Sequence, residues 1–330
     1  MKRSAAAVIG GATAAVAAGR YLLAREALSA VARDLRSPVL PYVAAPSSRR
    51  SMLVTRAFTR LPTPAGDGVT VTESRVGETA VRVVITAPAG GGTSRPAVMW
   101  IHSGGFVVGS PQLERFITGQ IARELGATVV SPDYRLAPEH AVPAALDDCM
   151  ATLRWMRTNA DRLGIDADRI VVGGASAGGG LAATVAQRSL DEGCPLRGQA
   201  LAYPMLDDRS VLRADHGGRG RFVWTPASNR FGWTAYLGHP PDTSEAPAYA
   251  AAARRSELSG LAPAWIGVGQ LDLLHDDCVS YAERLESSGV PCELITVPGM
   301  YHAADAIAAR ALSMQTFRAS MLNFMRARLS

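Results

Sequence analysis

Short apolar runs recur along the chain and, in its second half, alternate with stretches of helical character. The runs are rich in β-branched residues and end at glycine, proline or polar clusters, which is typical of buried strands. They cover Val81–Thr86, Ala97–Ile101, Thr128–Val130, Ile170–Val172, Gln199–Ala202, Ala264–Val268 and Leu294–Val297. Strands that alternate with helices predict an α/β fold whose mostly parallel central sheet is flanked by helices.

A serine stands between one of these strands and a helix. Ser176 follows the run Ile170–Val172, has Gly174 and Gly178 two residues to either side, and precedes an Ala-rich helical stretch. Such a tight turn exposes the serine hydroxyl at its tip, the geometry of a nucleophile elbow. A plain small-residue turn has the same composition. A phosphate loop does not fit, because the Gly-Lys-Ser/Thr ending is absent.

A second glycine-rich loop, His102-Ser103-Gly104-Gly105-Phe106, follows the run Ala97–Ile101. Acyl transfer places negative charge on a carbonyl oxygen, which unobstructed backbone N–H groups stabilise. We predict an oxyanion hole made by the N–H groups of Gly104, Gly105 and Ala177. We expect His102 to support this loop rather than to react. Without the other motifs, the alternative interpretation of this stretch is an ordinary glycine-rich loop at the end of a strand.

An acid and a base follow the serine in the order Ser, Asp, His that accompanies this type of elbow. Asp272 and His302 each come directly after a predicted strand. We therefore predict a triad in which His302 accepts the proton of Ser176 and Asp272 orients the imidazole. Asp276 and Asp277 are rival acids, expected instead to be solvated or to cap a helix.

With these motifs, the chain resembles the bacterial hormone-sensitive-lipase-like esterases of the α/β-hydrolase fold over roughly residues 69–330. The likeness rests on the oxyanion loop, the elbow, the blocks around the acid and the base, and the run Asp133-Tyr134-Arg135-Leu136-Ala137-Pro138-Glu139-His140. The resemblance implies hydrolysis of esters with short or medium acyl chains, without a cofactor, under a helical cap.

Two positions depart from the pattern of the family. Ala175 stands where the family often has Asp, which removes a carboxylate beside the nucleophile. Ser103 stands where the family has Gly, and a serine would be strained there if the position required a positive φ. We expect activity to survive, because both glycines of the predicted oxyanion hole remain.

The predicted domain organisation is a basic N-terminal segment at 1–60 and a catalytic domain at 61–330. The segment Asp207–Ala250 interrupts the alternation of strands and helices and is predicted to be a cap insertion over the site. Its helical part, Pro226–Leu237, carries three aromatic side chains that either line an acyl pocket or pack in the core: Phe231, Trp233 and Tyr236.

Charge is concentrated at the N-terminus. Residues 1–60 hold ten basic and two acidic residues, a balance of +8, whereas the remaining 270 hold 24 and 27, a balance of −3. The catalytic body is therefore not basic, which argues against nucleic-acid binding. An amphipathic helix is predicted over Arg20–Arg36, as the first cap helix. Residues 1–19 are a secretory signal, an interfacial anchor or a free lead, and their sixteen weakly apolar residues are too few to span a bilayer.

The four cysteines lack metal-ligand spacing, so we expect no metal site. We expect buried free thiols, with a disulfide as the alternative.

The leading function is a carboxylesterase that acts through an acyl-serine. Its alternatives are a deacetylase or lactonase of a specific metabolite and, further off, a ligand-binding pseudo-hydrolase. We expect the substrate to be a small-molecule ester. We expect the protein to be cytoplasmic or membrane-associated, with secretion as the alternative. It could also form a dimer through an edge strand of the sheet.

Overall fold

The computed structural model describes residues 25–244 and 246–330. Eight strands form one sheet in the order β1-β2-β4-β3-β5-β6-β7-β8. β1 and β2 are antiparallel, β2 pairs antiparallel with β4, and all other neighbours are parallel. The strands are β1 Val69–Val76, β2 Val81–Pro88, β3 Arg95–Ile101, β4 Thr128–Pro132, β5 Ile165–Ala175, β6 Gly198–Ala202, β7 Ala264–Gly269 and β8 Cys292–Val297.

Helices pack against this sheet. The helix Arg49–Thr59 precedes β1, and the later α-helices span Arg115–Leu125, Ala144–Thr158, Ala160–Leu163, Ala177–Asp191, Pro226–Leu237, His275–Ser287, Ala304–Ile307 and Leu312–Leu329. Short 3-10 turns lie at Arg33–Leu35, Leu40–Tyr42, Asp208–Leu212 and Ala252–Arg254. Within residues 25–244 and 246–330, every helix is too short or too polar to cross a bilayer.

The seven predicted strands all exist, and each extends beyond its predicted bounds. β4 and β6 are buried along their whole length, as expected of parallel strands covered on both faces. β1 was not predicted. Its sequence Val-Thr-Val-Thr alternates apolar and polar residues, and it forms the half-exposed antiparallel edge of the sheet.

The predicted helix over Arg20–Arg36 is wrong in its extent. Its first residues lie outside the described part, the helix covers residues 25–30, and a 3-10 turn follows at Arg33–Leu35. The chain leaves the helix because the N–H of Ala32 donates to the carbonyl of Gly299 at 3.1 Å. Val31 and Leu35 are buried, so the apolar side of this segment packs on the body as predicted.

The aromatic side chains of the helix Pro226–Leu237 mostly pack in the core. Trp233 and Tyr236 are buried, and the ring of Tyr236 stacks on Phe106 with 4.1 Å between centroids. Phe231 is half-buried. All four cysteines are free, but only Cys149 and Cys278 are buried. Cys194 is exposed in a loop, where the prediction of a buried thiol is wrong.

Candidate active site

The elbow residue Ser176 lies at the end of β5, where the chain turns directly into the helix Ala177–Asp191. Its φ of 55° and ψ of −119° are rare for a residue with a side chain. Two flanking glycines permit this turn. A Cβ on Gly178 would collide with the carbonyl oxygens of Ile101 and His102, and one on Gly174 would collide with the carbonyl of Gly178. The turn therefore requires glycine at both positions.

The structure brings Ser176, His302 and Asp272 together in one hydrogen-bonded chain. The Nε2 of His302 lies 2.9 Å from the Oγ of Ser176, and its Nδ1 lies 2.7 Å from the Oδ2 of Asp272. The other carboxylate oxygen of Asp272 accepts the N–H of Leu274 at 3.0 Å. All three residues are at least 96% buried, with Asp272 completely enclosed. A histidine held in this way can accept a proton from the hydroxyl through Nε2.

The rival acids lie elsewhere. Asp276 is exposed and bonds to the Nδ1 of His275 at 2.9 Å. Asp277 lies in the first turn of the helix His275–Ser287, but it is not solvated: it is buried and forms an ion pair with Arg213. Burial raises the pKa of Asp277 to about 7.

The loop after β3 presents the expected backbone donors. Gly104 and Gly105 have φ values of 129° and 60°. In the part of the chain that the structure describes, no carbonyl or side chain accepts the N–H of Gly104, Gly105 or Ala177. A Cβ on Gly104 would collide with the carbonyl of Val108, and one on Gly105 with the ring of Trp224. The loop therefore requires glycine at both positions to adopt this conformation.

His102 is fully buried beneath this loop. Its ring stacks on Tyr134 at 4.1 Å, and its Nδ1 lies 2.8 Å from the carbonyl oxygen of Ser103. The hydroxyl of Tyr134 donates to the carbonyl of His102 at 3.1 Å. Burial lowers the pKa of His102, which keeps the imidazole neutral. These contacts suit a residue that supports the loop.

Ser103 is held by a carboxylate that the sequence did not point to. The Oε1 of Glu114 accepts both the N–H and the hydroxyl of Ser103, the former at 2.7 Å. Its Oε2 accepts the indole N–H of Trp100 at 2.7 Å. Burial raises the pKa of Glu114. Ser103 is not among the described residues with a positive φ, so the serine causes no strain there.

A cavity of about 260 Å³ opens next to Ser176 and His302, since it is lined by Ala175 and Ala303. Three of its wall residues are chain neighbours of site residues: Ser103 precedes Gly104, Ala175 precedes Ser176, and Ala303 follows His302. Its wall also contains the polar side chains of Glu114, Tyr203 and Asp305. Ala175 and Glu114 thus line the same cavity. Ala175 is the elbow position at which the family often has an aspartate.

Asp305 is the second buried carboxyl group in this wall. Its Oδ1 accepts the hydroxyl of Tyr203 at 2.7 Å, and burial raises the pKa of Asp305. Tyr203 and Ala303 have positive φ values of 36° and 57°. Non-glycine residues in this conformation concentrate at functional sites, where the surrounding structure holds them. No feature of the sequence alone distinguishes Asp305 or Glu114 from surface carboxylates.

Comparisons with known proteins identify the family of this fold. Residues 98–306 match the family model described as the alpha/beta hydrolase fold. The chain belongs to this family, in its hormone-sensitive-lipase-like branch. The fold and the predicted resemblance are therefore confirmed.

Individual relatives are similar over most of the catalytic body. Esterase LipI of Mycobacterium tuberculosis is 39% identical over 210 residues, which cover 63% of this chain and 65% of LipI. Ethyl acetate hydrolase of Pseudomonas putida is 34% identical over 212 residues, 62% of this chain and 65% of that protein. The matched part thus spans just under two thirds of these relatives. A solved structure, a bacterial heroin esterase, is 31% identical with a TM-score of 0.83 and covers 92% of this chain and 99% of its own.

Proposed function

We propose that the protein is a carboxylesterase that hydrolyses short- to medium-chain esters through an acyl-serine intermediate. The observation that carries the proposal is the continuous chain of hydrogen bonds from the Ser176 hydroxyl through His302 to Asp272. An isolated serine hydroxyl is a weak nucleophile, and a base within hydrogen-bond distance is what activates it. The names of the relatives, esterase and ethyl acetate hydrolase, support the same class of reaction.

In the proposed reaction, the Oγ of Ser176 attacks the ester carbonyl carbon while the Nε2 of His302 takes its proton. Asp272 stabilises the imidazolium that forms. The N–H groups of Gly104, Gly105 and Ala177 bind the oxyanion. His302 then gives the proton to the departing alcohol, which leaves an acyl-serine. A water molecule, deprotonated by His302, releases the acid and restores Ser176.

We assign the acyl group of the substrate to the cavity beside Ala175. Its volume is about 260 Å³. This size supports short and medium acyl chains over long ones. Apolar groups, among them Phe116, Ile117 and Met321, line it together with the two carboxyl groups.

Hydrolysis of p-nitrophenyl esters from acetate to palmitate tests the proposed substrate class. We expect turnover to be highest at short acyl chains and to fall steeply once the chain exceeds the cavity. Highest turnover with palmitate would contradict the assignment of the acyl pocket. No turnover with any ester, from protein with an intact thermal transition, would favour a ligand-binding pseudo-hydrolase.

The proposed cap consists of the segment Asp207–Ala250 together with the described part of the N-terminal segment, residues 25–60. Contacts between the two support this: the N–H of Ala45 donates to the carbonyl of Val223 at 2.8 Å, and the hydroxyl of Ser228 donates to the carbonyl of Ala45 at 3.0 Å. Trp224 of the insertion lies against Gly105 and has its ring 5.9 Å from that of His302. The cap would therefore close over the site at Trp224.

We also propose that residues 1–19, which lie outside the described residues, contribute loose membrane association. Their apolar composition behind Lys2 and Arg3 supports this. Removal of residues 1–19 should shift the protein from the membrane fraction to the supernatant, and an unchanged partition would contradict the proposal. Dimerisation through an edge strand stays a prediction that sedimentation velocity tests.

A further inference from the structure

The exposed apolar side chains of this protein are concentrated in one short segment. Eight large apolar side chains of the described residues are clearly exposed, and six of them lie between Val39 and Leu61. Four form what we call the outer face: Leu53, Val54, Phe58 and Leu61, which are 56%, 62%, 65% and 59% exposed. Solvent-exposed apolar clusters of this kind mark interaction surfaces, whereas scattered single residues do not.

The outer face is built on a helix whose opposite side is fixed to the body. On the helix Arg49–Thr59, Met52 is completely buried. Arg56 donates to the carbonyls of Val107 and Ala137, both at 2.7 Å, and forms an ion pair with Glu139 at 2.8 Å. Because these contacts fix the rotation of the helix, the apolar outer face points away from the protein.

The chain segment that carries the outer face contains only positive charges. Residues 35–66 contain five arginines and no acidic residue. Arg49 and Arg50 begin the helix and Arg60 follows its end, and all three are exposed. In the described part of the chain none of these three forms an ion pair.

We propose that the outer face docks on an anionic lipid bilayer. Apolar side chains flanked by arginines are the pattern with which a helix lies in a membrane interface, since the apolar groups enter the acyl boundary and the guanidinium groups meet anionic headgroups. A symmetric contact between two copies would place Arg49, Arg50 and Arg60 against the same arginines, with no carboxylate in the segment to offset them.

The segment that carries the outer face leads directly into the wall of the cavity beside Ala175. Thr63, four residues after the helix, lines the cavity beside Ala175. Arg56 of the same helix holds the carbonyl of Val107 in the segment after the oxyanion glycines. Docking would therefore place the cavity near the lipid surface, from which an ester could enter.

The test is co-sedimentation of the full-length protein with vesicles of phosphatidylcholine, with and without phosphatidylglycerol. We expect binding only to the phosphatidylglycerol vesicles and weaker binding at high salt, because salt screens the arginines. Leu53→Asp and Phe58→Asp should each weaken binding about tenfold or more. Leu312→Asp is the matched control, since Leu312 is 74% exposed but lies on the C-terminal helix.

Several outcomes would overturn the proposal. Binding that is equal for wild type, Leu53→Asp and Phe58→Asp would show that another segment, such as residues 1–19, makes the contact. Binding that is indifferent to phosphatidylglycerol would exclude the charge argument. A wild-type dimer that Leu53→Asp converts to monomer would show that the face pairs two copies. Thermal unfolding of each variant verifies its fold. Because co-sedimentation measures binding, these results do not depend on esterase activity.

Discussion

The carboxylate of Glu114 accepts both the backbone N–H and the side-chain hydroxyl of Ser103. Ser103 directly precedes the two glycines of the proposed oxyanion hole, so Glu114 fixes the start of that loop. Glu114→Gln keeps the shape but places an amide where the carboxylate oxygens accept from Ser103 and Trp100. We expect kcat for p-nitrophenyl acetate to fall about tenfold to a hundredfold, with little change in KM.

The matched comparison is Ser103→Ala, which removes the hydroxyl and leaves the N–H contact to Glu114 intact. Its kcat should lie between that of wild type and that of Glu114→Gln. A Glu114→Gln variant with wild-type kcat would show that the loop holds its shape without this carboxylate.

Restoration of the common family residue, Ala175→Asp, should reduce both activity and stability. The new carboxylate would enter a cavity wall that already holds Glu114 and Asp305, and buried like charges are unfavourable. The free energy of unfolding should drop more at pH 8 than at pH 5, since protonation relieves the repulsion. Ala175→Asn, of the same size but uncharged, should lack this pH dependence. Equal pH dependence in the two variants would contradict the explanation.

Gly104→Ala should lower kcat by about a hundredfold to a thousandfold, the usual cost of an impaired oxyanion donor. The added methyl group would collide with the carbonyl of Val108 and displace the N–H groups. Gly91→Ala is the control: its φ of 69° is also positive, but nothing lies within 4 Å of the added Cβ. Steady-state kinetics and thermal unfolding of both variants separate lost catalysis from backbone strain. A similar kcat for the two would refute the assigned role of Gly104.

Burial of Asp277 makes stability depend on pH. Its pKa rises from 3.8 to about 7 in the folded protein. The folded state therefore holds a proton between about pH 4 and pH 7 that the unfolded state has released, so this group lowers stability as pH increases through that window. Each pKa unit corresponds to about 1.4 kcal/mol.

Asp277→Asn removes this titration. Relative to wild type, its free energy of unfolding should increase by several kcal/mol between pH 4 and pH 8. Urea unfolding across this range measures the trend. Asp276→Asn, which changes the exposed neighbour, should not show the gain, and a parallel gain in both variants would contradict the assignment to Asp277.

The parts of the fold and of the site whose structure is determined by the local sequence could be predicted. β5 and Ser176 were predictable because the glycines around the elbow are required by its own backbone. The positions of Asp272 and His302 followed from the strands before them, since parallel strands bring their ends to one edge. β1 was missed because an antiparallel edge strand carries polar residues on its exposed side and lacks the apolar run of a buried strand.

The remaining site residues depend on contacts between distant segments. Glu114 reaches Ser103 and Trp100 only because the chain folds back after the loop, and Asp305 meets Tyr203 across 102 residues of sequence. The helix that should have reached Arg36 ends near Ala30, because Ala32 bonds to Gly299. None of these partners can be inferred from residue type or spacing.

The measurement that tests the central claim most directly compares wild type with Ser176→Ala in p-nitrophenyl acetate hydrolysis. Loss of a triad nucleophile costs on the order of 10⁶ in kcat, so the variant should retain only the residual rate of the remaining site. Thermal unfolding of the variant verifies that its fold is intact. Turnover by folded Ser176→Ala at a rate close to that of wild type would contradict the proposed acyl-serine mechanism.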